Sequence, residues 1–107
     1  MSYTSAKTTI HAEKFNTEKN PRYRIYLDDQ IIIERTYWSD HKETEVVEKI
    51  TLKNDDQDHT LEVCSVFDDL GTFSIKTVDF VDGDTDQIIK IPCTVNQNTI
   101  TFSTDRR

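Results

Sequence analysis

Apolar and polar residues alternate with a period of two over most of the chain, the spacing of strands that bury one face. In Arg22 to Leu27, Tyr23, Ile25 and Leu27 share a face while Arg22, Arg24 and Tyr26 take the other. Asp28-Asp29-Gln30 follows as a turn and Ile31 to Trp38 as a second strand, so the segment predicts a β-hairpin. Ile100 and Phe102 alternate with Thr99, Thr101 and Ser103. From Thr72 to Val81 the phase slips: Phe73 and Ile75 fix one face, Val78 and Phe80 the other. One extra residue near Lys76-Thr77, a β-bulge, would return both pairs to the core side. Leu61 and Val63, followed by Cys64 and Val66, suggest a similar slip or a strand buried on both faces.

Two stretches are less regular. Asp40 to Ile50 admits a helix, with Asp40 as N-cap and Glu43 three residues on. Two adjacent valines and the run into Thr51 and Leu52 favour a strand from about Val46 to Lys53 with a loop before it. Glu48 interrupts the apolar face of that strand. The first twenty residues are polar, with Ile10 and Phe15 as anchors. Lys7 to Phe15 reads as an edge strand in a loosely held N-terminal segment, and Asn16 to Pro21 as a loop.

Gly and Pro occur twice each, so Asp and Asn take over as turn formers. Asp28-Asp29, Asn54 to Asp58, Asp68 to Gly71, Asp82 to Asp84 and Asn96 to Asn98 all fall between apolar runs. This spacing predicts one all-β domain over residues 1–107, an antiparallel, jelly-roll-like sandwich of about eight strands.

Composition narrows the partners. The chain is 35% hydrophobic and 31% charged, yet its apolar residues are clustered, as in Ile31 to Ile33, which marks a folded chain. The net charge of −7 repels phosphate backbones and anionic lipid, which argues against nucleic acid and membrane as partners. The first ten residues lack a signal-type apolar core, and no stretch reaches the ~20 apolar residues of a span, so synthesis in the cytoplasm of a soluble protein is expected. Cys64 and Cys93 have no CxxC spacing and read as two buried free thiols, able to bridge only if their Cα atoms come within ~7 Å.

Asp82-Gly83-Asp84-Thr85-Asp86 places carboxylates at alternate positions, as the start of a Ca²⁺ loop does. Gln87 and Cys93 stand where an EF-hand needs Gly and Glu, so Asp82, Asp84 and Asp86 remain candidate Ca²⁺ ligands only outside that motif. The alternative is a hairpin loop whose aspartates cap their own backbone. Arg24, Tyr26, Tyr37 and Trp38 offer an aromatic and basic face on which a sugar ring could stack, against the alternative of rim packing. Glu34 is a cross-strand ion partner for Arg24. His11, His41 and His59 lie far apart beside polar residues and read as solvated. There is neither a G-x-S-x-G elbow nor a Gly-rich phosphate loop, and a core this small leaves little room for a deep dry pocket.

Asn20 to Trp38 (NPRYRIYLDDQIIIERTYW) resembles the short fold-back hairpin of small jelly-roll modules. His59 to Gly83 (HTLEVCSVFDDLGTFSIKTVDFVDG) resembles the later strand pair of such modules, an H-T-L-x-V strand followed by F-x-I-x-x-V. Together they cover about half of the chain. The whole resembles small uncharacterised β-sandwich proteins of bacteriophages that infect marine cyanobacteria. In layout it is also similar to Ca²⁺-dependent xylan-binding modules, though these are rich in Gly and no ligand residue carries over. The resemblance implies a jelly-roll-like sandwich with a binding or virion-associated role. The expected function is therefore a non-catalytic binding or assembly module, acting on a protein partner or a second copy. Its alternatives are a polysaccharide-binding module, with or without Ca²⁺, and a small enzyme using carboxylates.

Overall fold

The computed structural model describes residues 3–15, 18–38, 41, 43–55, 57–67 and 69–104. These form β1 (Tyr3–Lys14), β2 (Arg22–Leu27), β3 (Gln30–Thr36), β4 (Glu43–Lys53), β5 (Asp58–Ser65), β6 (Gly71–Asp82), β7 (Ile88–Ile89), β8 (Cys93–Asn96) and β9 (Thr99–Ser103). No described residue is helical, and no helix is long and apolar enough to cross a membrane. Two antiparallel sheets face each other, in the orders β4-β1-β6-β7 and β3-β2-β5-β9-β8. The chain passes repeatedly between them. Their neighbour relations are those of a jelly roll opened at a different connection, with β8 added beside β9.

The core lies between the sheets. Ile10, Ile25, Leu61, Val63 and Ile100 are fully buried there, and the rings of Phe80 and Phe102 meet across the layers at 5.0 Å. Each such side chain contributes roughly 1.5–3 kcal/mol on burial. The β2–β3 hairpin turns at Asp28 and Asp29, with φ of 51° and 67°. Two successive positive φ values make the mirror-image turn whose twist matches its strands, and Asp tolerates them better than most residues.

The phase slip in β6 is a bulge. Thr9 pairs with Thr77 and Ile10 with Ile75, which leaves Lys76 as the extra residue. Phe73, Ile75 and Phe80 are consequently all buried, with Val78 packed against the same core. No slip occurs in β5, which pairs in unbroken register, and Cys64 lies half-buried on the outer face opposite Arg24.

Three expectations are corrected. β1 is not an edge strand: it is hydrogen-bonded to β4 on one side and β6 on the other along its length. Small inward residues, Ala6, Thr8 and Ala12, let it pass close under the opposite sheet, so few large apolar anchors are needed. β4 begins three residues before the expected Val46, and Asp40, the helix cap considered there, lies outside the described residues. Neither cysteine is in a disulfide, and neither is buried as expected, with Cys93 exposed on the edge strand β8. Cys93 lies level with His59 across β9, two strands over and five residues along from Cys64, far beyond bridging reach.

The two ends of the sandwich differ. Asp28, Asp55, Asp58, Asp82, Asp84 and Asp86 all sit at the end that holds Tyr3 and Thr104. Phe15, Trp38 and Phe67 are exposed at the opposite end, where hydrogen bonds of 2.8–3.0 Å join Tyr37 to Pro21, Phe15 to Leu70 and Leu70 to Phe67.

Candidate ligand-binding cleft

β3 and β4 are edge strands of opposite sheets on the same side of the sandwich. A cleft of about 480 Å³ opens between them, walled by Arg35 to Trp38 on one side and Thr44 to Val47 on the other, with Tyr23 also lining it. Trp38 is 78% exposed and Val47 60%. Tyr37 is buried, its ring meeting that of Phe73 edge-on at 6.1 Å, and its N–H donates to the Pro21 carbonyl. The Tyr37 hydroxyl is buried with no partner among the described residues.

Beside this wall is a polar group inside the sandwich. Glu48 points inward from β4, and its carboxylate accepts hydrogen bonds from the Tyr23 hydroxyl at 2.7 Å and from Arg35 Nε at 2.5 Å. Burial, reinforced by the hydrogen bond to Glu48, pushes the Tyr23 phenol well above the ordinary tyrosine range. The carboxylate likewise holds the Arg35 guanidinium more firmly in its charged form. Nearby, Glu45 is paired with Lys76 and Glu43 with His11. The charged residues that line the cleft, Arg35 and Glu45, are thus each matched by a partner of opposite charge. What it offers a ligand is an exposed indole, aliphatic surface and neutral hydroxyls.

The structure divides the expected aromatic and basic face. Tyr37 and Trp38 line the cleft, Tyr37 as buried wall and Trp38 as exposed rim. Arg24 and Tyr26 do not join them, because strand alternation turns both to the outer face of β2, opposite to Tyr23 and Ile25. Arg24 is bound there by Glu34 at 2.8 Å, the cross-strand partner expected from the hairpin. Arg35 and Glu48 were not among the expected site residues. The signal for Glu48 was present: it occupies an inward position in the series Val46, Glu48, Ile50, Leu52.

Asp82, Asp84 and Asp86 do not converge. Asp82 Oδ1 accepts the backbone N–H groups of Asp84 and Thr85 at 2.8 and 3.2 Å, and the Asp86 carboxylate lies 3.5 Å from Lys49 Nζ. No group of three or more His, Cys, Asp or Glu side chains among the described residues is placed to hold a metal. His59 is not solvated but buried between Asp28 and Asp55. No known protein family, curated protein or solved structure matches the chain.

Proposed function

We propose that this chain is a non-catalytic binding module whose ligand site is the β3–β4 cleft, and that the ligand is a neutral sugar chain. The observation that carries the reading is Trp38, a large side chain held 78% exposed at the mouth of the cleft rather than buried. An indole so placed offers a flat apolar face to the CH face of a pyranose ring, and nearby polar groups can take the hydroxyls. The pairing of Arg35 with Glu48 and of Glu45 with Lys76 favours an uncharged ligand over an anionic one. Glu48 is engaged on both sides by Tyr23 and Arg35, which supports a structural carboxylate over an acid–base catalyst.

The test is calorimetric titration with neutral and uronic-acid oligosaccharides of plant and algal origin, repeated with Trp38→Ala. A neutral oligosaccharide should bind, and the variant should bind it at least tenfold more weakly. No binding by any neutral member, or binding that Trp38→Ala leaves unchanged, overturns the proposal.

A second reading, assembly with another copy, is favoured by the exposed Ile31 and Ile32 on the edge strand β3. An unpaired edge bearing apolar side chains is a ready site for strand addition. Light scattering at high concentration should then give a discrete oligomer that Ile32→Lys dissociates, and a monomer at all concentrations would dismiss this reading.

A further inference from the structure

At the acidic end, His59 is held from both sides. Its Nδ1 lies 2.6 Å from Asp28 Oδ2 and its Nε2 lies 2.9 Å from Asp55 Oδ1, with the side chain 11% exposed. Asp28 belongs to the β2–β3 turn and Asp55 to the loop between β4 and β5. From β9 the ring meets Phe102 at a centroid distance of 6.0 Å. The Thr104 hydroxyl donates to the Asp55 carbonyl and accepts the Asp55 N–H. On β5 itself, Asp58 and Thr60 flank His59 and are exposed. The two carboxylates are therefore the charged groups that contact the ring.

We infer that Asp28, His59 and Asp55 form a proton-dependent latch, closed while the imidazole carries both ring protons and released at Asp55 when it loses one. A carboxylate only accepts hydrogen bonds. An imidazolium donates at both nitrogens, whereas a neutral imidazole donates at one and presents a lone pair at the other. Two carboxylates can therefore be satisfied together only by the charged ring. On deprotonation the shorter contact, to Asp28, keeps the proton. Asp28 is also fixed by accepting the Thr60 N–H at 2.9 Å, while its own N–H donates to the Thr60 carbonyl; the matching bond at Asp55, from the Gln57 N–H, is longer at 3.1 Å. Asp55 then faces a lone pair and withdraws.

The latch joins separate parts of the chain. Asp28 fixes the hairpin turn to β5. Through Thr104, Asp55 holds the residue that follows β9, and neighbouring Asn54 accepts a hydrogen bond from the Thr4 hydroxyl on β1. Burial alone would make the ring less basic, but the hydrogen bonds and charges of Asp28 and Asp55 outweigh it and raise the His59 pKa above 6.5. The latch thus stays closed below pH 6.5 and opens as the pH rises through the raised His59 pKa.

The experiment is nuclear magnetic resonance of the intact chain. It follows the His59 ring through its titration together with hydrogen exchange at the Asp55 and Thr60 amides, corrected for base catalysis. His59 should titrate above pH 6.5 and give the Nδ1–H tautomer. Asp55 amide protection should fall at least fivefold across the same titration while that of Thr60 persists. Asp55→Asn, checked for folding by circular dichroism, should move the His59 titration to lower pH. A His59 titration at or below 6.5, a neutral ring protonated at Nε2, or Asp55 protection that stays constant through the titration overturns the latch.

Discussion

Tyr23 on β2 donates its phenolic proton across the interior to Glu48 on β4, so the two sheets are joined by a buried 2.7 Å hydrogen bond as well as by apolar contact. Arg35 supplies the countercharge from the edge strand. A carboxylate at an inward position is costly unless it is paired and hydrogen-bonded, and here it is both. Glu48→Ala should lower unfolding stability in urea by about 2–4 kcal/mol, because it strands the Tyr23 hydroxyl and leaves Arg35 without its partner. Tyr23→Phe should cost about 1–2 kcal/mol. It should also remove from the ultraviolet titration a phenol that ionises well above the ordinary range. If both variants matched wild type, the pair would contribute nothing to stability.

The same physics gives the Asp28–His59–Asp55 group a pH signature in global stability. The raised His59 pKa means its contribution is complete below its unfolded value near 6.5 and is lost as pH rises through the folded value. Burial works against ionisation of Asp28, but the hydrogen bonds from His59 and the Thr60 N–H win. Those from His59 and the Gln57 N–H likewise lower Asp55. The aspartates' contribution is present above about 3.8 and lost as pH falls through their folded values. The stability difference between wild type and His59→Gln should therefore be largest between about pH 4 and 6.5 and shrink on either side. A difference that grows from pH 6.5 to 9 would contradict this assignment of charges.

Lys76 tests the bulge separately from its side chain. Lys76→Ala should change stability by less than about 0.5 kcal/mol, since it removes only an exposed ion pair with Glu45. Deleting Lys76 should preserve cooperative folding. With the extra residue gone, Phe73, Ile75, Val78 and Phe80 fall at alternate positions of a regular strand, and Thr9–Thr77 and Ile10–Ile75 become consecutive pairs of one register. Thermal melts of the two variants decide it, and a deletion that lost its cooperative transition would mean that the bulge does more than restore the phase of these side chains.

Gly71 begins β6 where the chain passes under Pro21. A Cβ at this position would meet Pro21 Cγ at 2.9 Å and press on the backbone carbonyl of Glu13. Gly71→Ala should therefore cost about 1–3 kcal/mol, by forced displacement of backbone and not by lost helix or strand propensity. A chemical-denaturation midpoint unchanged by this substitution would show that the β1–β2 loop gives way freely.

Trp38→Ala, by contrast, should leave the melting temperature within a degree or two of wild type, because an indole 78% exposed contributes little packing. A large loss of stability would place the ring in the core and remove the basis for a ligand role.

Much of the fold was legible in local pattern. Alternation gave the inward faces of β2, β5, β6 and β9, and the misphased pairs Phe73–Ile75 and Val78–Phe80 required the bulge at Lys76 because a strand has only two faces. The Asp-rich stretches marked the turns because these side chains tolerate positive φ or bind their own backbone, as Asp28, Asp29 and Asp82 do. Which strands become neighbours does not follow from alternation. Non-local pairing put the polar N-terminal stretch at the centre of a sheet, and placed Glu48 opposite Tyr23 and Arg35. It also carried Asp28 to His59, on the side opposite the sequence neighbour Asp55. A buried carboxylate and a doubly bound imidazole are stable only in the company of such partners, and of these Tyr23 lies 25 residues from Glu48 and Asp28 31 residues from His59 along the chain. The sequence by itself therefore determined faces and turns, which depend on neighbours two residues apart. The tertiary structure decided the cleft and the polar clusters, which depend on strands that meet across the sandwich.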